Sequence, residues 1–173
     1  MSGISFVAFY VGAGAAVLAT ALAIMQRQPI HALLYLTVSL LGVALTFLAL
    51  GAPLAAALEV IIYAGAVMVL FVFATMTVSM PSDAPPGHVP PRGLRAVAGP
   101  AALGLLLAAA LLAVLRQAGE APLGKTMVAP RDVSLLLYGT YGVGVELASM
   151  LLLAGLIGAY HLARRSRTER ERA

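Results

Sequence analysis

The sequence predicts an all-α integral membrane protein with five transmembrane helices, and three observations carry that prediction. Hydrophobic residues make up 61% of the chain and charged residues 10%, with a mean hydropathy of +0.97, which lies far outside an ordinary soluble domain. Five apolar stretches, about 4–25, 31–50, 54–79, 94–115 and 135–161, each approach the ~20 residues that a membrane-crossing helix requires. None of them alternates apolar and polar residues with the period of two that a membrane β-barrel shows. Together the five leave room only for loops and a tail, so 1–173 reads as a single membrane domain.

The first stretch lacks a basic leading region. Although Ala19-Thr20-Ala21 resembles a cleavage site, the apolar run is long and closes on Gln26-Arg27, which reads as a retained helix rather than a signal peptide. Breakers at Arg27 to Pro29 and at Gly51-Ala52-Pro53 make the next two connections too short to hold a domain. The first three helices are therefore expected to pack as antiparallel neighbours. The segment 80–93, MPSDAPPGHVPPRG, holds five of the ten prolines and reads as an extended linker with polyproline character. The segment 116–133 mixes Glu120, Lys125, Arg131 and Asp132 with glycine and proline and reads as a surface loop.

Placing the N-terminus outside puts eight of the eleven Lys and Arg residues on the inner side: Arg27, Arg92, Arg95, Arg164, Arg165, Arg167, Arg170 and Arg172. Arg116, Lys125 and Arg131 fall outside. The positive-inside rule then gives an outside N-terminus and a cytoplasmic C-terminus. The basic tail, 162–173, directly follows a span, which makes it a topology anchor near anionic lipid rather than a nucleic-acid site.

Between Arg27 and Asp83 the only formally charged side chain is Glu59. An ionised acid at the bilayer centre costs roughly 2.5 to 3.5 kcal/mol on insertion scales, so such residues face a bundle interior, find a partner or carry protons. At α-helical spacing Glu59, Tyr63, Ala66, Leu70, Phe73 and Thr77 share one face, and Tyr63 could hydrogen-bond Glu59 directly or through water. Counting along the helix places Glu59 only roughly 7 to 8 Å into its span. A solvated acid near the outer interface and a proton-relay acid both fit that depth. Glu146, about 11 residues into the fifth stretch at ~1.5 Å per residue, is expected nearer mid-membrane. No Lys, Arg or His lies near mid-depth in any stretch, so partners for either acid are waters, hydroxyls or another subunit. A carboxyl without a cation there is pushed toward its neutral form, which suits a proton carrier and equally a silent hydrogen-bond donor.

Tyr63-Ala64-Gly65-Ala66 follows Glu59 closely. Its small residues allow close helix approach, and its glycine lowers the cost of a local departure from α geometry such as a π-bulge. His31 sits at the inner edge of the second stretch as an interfacial anchor; with His88 and His161 dispersed, no metal site is expected. The absence of cysteine removes disulfides, iron–sulfur ligation and thiol nucleophiles. Neither a phosphate-binding glycine loop nor a nucleophile constellation occurs, so no catalytic site is expected in this chain. Small-residue faces at Gly12, Gly14, Gly155 and Gly158 point instead to assembly with other membrane helices.

Three strings, PIHALLYL (29–36), ALEVIIYAGAVMVLFVFATM (57–76) and GVELASMLLLAGLIGAYH (144–161), resemble subunit J of bacterial NADH-quinone oxidoreductase, respiratory complex I, related to chain 6 of the mitochondrial enzyme. The resemblance covers the first three spans and the fifth. It implies a five-helix, non-redox subunit of a membrane arm in the bacterial inner membrane, beside subunits A, H and K and the antiporter-like subunits. It further implies a π-bulge in the third helix over the stretch that matches Tyr63, Gly65 and Met68, whose return to α-helix opens or closes a hydrated proton path. Glu59 and Glu146 match acid positions of the family, and FMN, iron–sulfur clusters and quinone are expected in partner subunits. Two other readings compatible with the residues are a purely structural scaffold of the same complex and a membrane subunit of a related hydrogenase or cation-antiporter assembly.

Overall fold

In the computed structural model, residues 3–78, 94–117 and 128–170 are described. The proline-rich linker 80–93 and most of the loop 116–133 lie outside them. The described residues are almost entirely helical, with no strand among them, and contain five helices long and apolar enough to cross a membrane: Ser5–Met25, Pro29–Ala49, Pro53–Thr77, Ala98–Arg116 and Gly142–Arg164. They divide into two compact units, Met1–Ala129 and Pro130–Ala173.

In the first unit, α1 (Gly3–Met25) and α2 (Pro29–Ala49) are joined by three residues. Pro29 opens α2 at a position where its missing N–H breaks no helical bond and its fixed φ suits the first turn. The α1–α2 crossing is built from backbone on backbone. A Cβ added to Gly12 would stand 2.9 Å from the Gly42 carbonyl oxygen, and one added to Gly42 would stand 2.8 Å from the Gly12 carbonyl oxygen. Alanines fill the rest of the seam, with Ala8, Ala15 and Ala19 buried against Val38, Leu45 and Ala49. Beside the crossing the Ser39 hydroxyl donates to the Ala16 carbonyl at 3.0 Å and lies 2.7 Å from the Thr20 hydroxyl. Because Ser39 has one proton and spends it on Ala16, Thr20 is the donor of the second bond. Among lipid tails, close approach and hydroxyl bonds of this kind supply the association that hydrophobicity cannot.

α2 ends in a Schellman turn. The Ala52 N–H donates to the Phe47 carbonyl at 3.0 Å and the Gly51 N–H to the Leu48 carbonyl at 3.1 Å, while Gly51 takes φ 82, a conformation natural to glycine after a helix. Pro53 then starts the third span at its first helical position. The Gly51 carbonyl accepts the Val128 N–H at 3.1 Å, tying the far end of the long loop to this turn.

The third span is not uniform. It comprises α3 (Pro53–Leu58), a π-helical segment (Glu59–Val67) and α4 (Met68–Val78). All three pieces lie along α2, which also packs against α1 and α5 (Leu94–Gln117). Leu107 and Val114 of α5 complete the apolar core.

The second unit contains α6 (Pro130–Tyr138) and α7 (Gly142–Arg170). Two sequence expectations need correction here. The continuous helix expected over 135–161 is interrupted at 139–141, where the Tyr141 N–H reaches back to the Leu136 carbonyl at 2.9 Å in a wide turn. Gly139 permits that turn, since a Cβ there would stand 2.6 Å from the Leu135 carbonyl oxygen. The expected tail from 162 is instead helical as far as Arg170, because it holds Ala, Arg and Glu with no glycine or proline to stop the helix.

Candidate functional site

Glu59 is the first residue of the π segment and is half-buried. The segment's carbonyls are met five residues on rather than four; at its end the Met68 N–H reaches the Tyr63 carbonyl. This changes which residues share a face. The α-helical register that aligned Glu59 with Tyr63, Ala66 and Leu70 does not run through a widened turn. Tyr63 is 54% exposed and Met68, first residue of α4, only 3%. The described hydrogen bonds do not join Glu59 to Tyr63.

The β-branched run Val60, Ile61 and Ile62 crowds a tight helix, and Gly65 relieves the wide one. A Cβ at Gly65 would stand 3.1 Å from the Val60 carbonyl oxygen, five residues back. That contact is tighter than side-chain carbons normally make, so a glycine at 65 specifically removes a penalty on the π form. The segment is also thinly held: among the residues of the third span whose burial is described, only Ala56 and Met68 are buried.

Val60 and Ile61 form one wall of an apolar groove of about 530 Å³, floored on α2 by Leu41, Leu45 and Leu48 and closed on α5 by Leu107. The groove was not legible in the sequence, because it depends on which helices flank α2. No group of His, Asp and Glu able to hold a metal occurs among the described residues.

Glu146 is exposed and belongs to the second unit. It is the fifth residue of α7, about 6 Å from that helix's start. On the same measure Glu59 stands about 9 Å beyond Pro53, the start of its own span. The break at 139–141 shortens the helical run before Glu146, and the glycines of YGTYGVG, 138–144, signal it in the sequence.

Five apolar helices, one of them wound partly as a π-helix, define a multi-pass membrane protein whose distinctive feature is a non-α stretch beside an acid. Residues 19–162 match the family NADH-ubiquinone/plastoquinone oxidoreductase chain 6, a match that also takes in the fourth span. The chain belongs to that family. It is 50% identical to NADH-quinone oxidoreductase subunit J of Pseudomonas aeruginosa over 158 residues, covering 91% of this chain and 95% of that one. It is 39% identical to the subunit J of Escherichia coli K12 over 160 residues, covering 92% and 87%. With the subunit J of Rhodobacter capsulatus the identity is 35% over 172 residues, covering 95% and 84%.

Proposed function

We propose that this chain is a non-redox membrane subunit of a proton-pumping NADH-quinone oxidoreductase of the bacterial inner membrane, and that its third span couples quinone chemistry in partner subunits to proton movement. The observation that carries this reading is the π segment Glu59–Val67, set in a chain whose relatives are named as subunits of that complex. π segments inside α-helices recur at functional sites.

The working element is a helix with two windings. In the π form Gly65 faces the Val60 carbonyl without strain; a return to α geometry would rotate α4 and Met68 relative to α3. Tyr63, Gly65 and Met68 act as the hinge, and Glu59 polarises or feeds a water chain that the rotation makes or breaks. Glu146 is a second acid that carries or polarises protons in the complex. Such a switch needs only a modest differential stabilisation of the two windings by the partner subunits. Partners are the neighbouring A, H and K subunits and the antiporter-like subunits; FMN, iron–sulfur clusters and quinone reside elsewhere in the complex. The chain is oriented with its N-terminus outside and its C-terminus in the cytoplasm, following its Lys and Arg distribution.

The test is Glu146→Gln and Gly65→Val in the assembled complex, with NADH oxidation and proton uptake measured together. Assembled variants with reduced pumping or reduced quinone-coupled turnover are expected. Fewer complexes, each fully active, would favour a scaffold role and contradict the hinge.

A further inference from the structure

At the end of the bundle that carries the start of α2 and the start of α5, the phenol of Tyr35 lies on the backbone of α5 at Gly99. Tyr35 is buried, with 8% of its surface exposed. Its ring lies against the backbone of α5 so closely that a Cβ on Gly99 would overlap the hydroxyl and stand 3.1 Å from the ring carbon that bears it. Among the described residues that hydroxyl makes no hydrogen bond, yet no fully enclosed side-chain oxygen there lacks a partner. The hydroxyl therefore keeps a small opening.

The next residue of α5 is Pro100, buried and inside the helix. Proline has no N–H, so the Ala96 carbonyl, four residues back, loses its regular helical donor. A Cβ in a helix leans over the turn that precedes it. The position over Gly99 taken by the Tyr35 hydroxyl is therefore above the turn that contains the Ala96 carbonyl. In a membrane, carbonyls freed by proline are resatisfied by hydroxyls and ordered water, and buried water settles where a polar site offers two or more partners.

We propose that one water molecule is bound between the Tyr35 hydroxyl and the Ala96 carbonyl, bridging α2 to α5. His31 lies one turn before Tyr35 on α2 and is half-buried. The bridge is a polar site separate from the third span, and it does not depend on how that span works. Gly99 and Pro100 acquire a joint purpose: the glycine lets the phenol reach the backbone, and the proline supplies the acceptor.

A density map of the purified membrane complex, at a resolution where ordered water is visible elsewhere in it, is expected to show a peak about 2.7–3.2 Å from both oxygens. A direct bond from the Tyr35 hydroxyl to the carbonyl, or no peak, would overturn the proposal. A thermodynamic cycle gives an independent reading. Tyr35→Phe is expected to lower the dissociation temperature of the complex in the native background and to have no effect in a Pro100→Ala background, where the restored N–H occupies the carbonyl. Equal shifts in both backgrounds would contradict the bridge.

Discussion

The α1–α2 pair and the third span are equally apolar, yet they use their residues in opposite ways. At the crossing of α1 and α2, glycine meets glycine and hydroxyls bond across the seam, so each helix fixes the other. Along the third span, large side chains such as Ile61, Tyr63, Leu70 and Phe73 are exposed, and nine residues wind as π-helix. Contact density sets how readily a region rearranges. In the proposed mechanism the pair is the fixed reference, and the third span is the element that changes its winding against it.

The largest effect should come from breaking the reference. Gly42→Leu would drive a branched side chain into the Gly12 carbonyl and the Ala16 backbone; overpacking of this kind costs about 1–3 kcal/mol, more where backbone cannot yield. The expected outcome is loss of the subunit from membranes, read as the amount of intact complex. Gly51→Ala comes next, because φ 82 sets a Cβ against the following carbonyl at about 1–2 kcal/mol, and Gly51→Asn should recover much of that loss. Ser39→Ala removes the donor to Ala16 and the acceptor of Thr20, at about 1 kcal/mol, and should lower thermal stability without preventing assembly. Gly65→Ala should affect assembly least of all, because its Cβ meets only the Val60 carbonyl and can escape by favouring the α winding. Its effect should fall on coupling, which separates the movable span from the fixed pair.

Much of this was legible in the sequence because single residues dictate it. Pro29 and Pro53 mark helix starts, and Gly51 marks the stop between them. Glu59 stands out by charge alone, and the small residues after it signal a helix that need not stay α. What could not be read is three-dimensional. Gly12 and Gly42 lie thirty residues apart, and nothing local says that they touch. The groove over α2 and the phenol on Gly99 depend likewise on neighbours chosen by packing. The fifth helix differs for another reason: 135–161 is predominantly apolar, and the break at 139–141 rests on a backbone turn that an apolar count does not register.

The central claim is that the third span works by changing its winding at Gly65. The most direct measurement is the number of protons moved per NADH oxidised by the assembled complex carrying Gly65→Ala, compared with Gly104→Ala in α5, where an added Cβ meets open space. A lowered ratio for the Gly65 variant and an unchanged ratio for the Gly104 variant are predicted. Equal, unaltered ratios in fully assembled complexes would contradict the account.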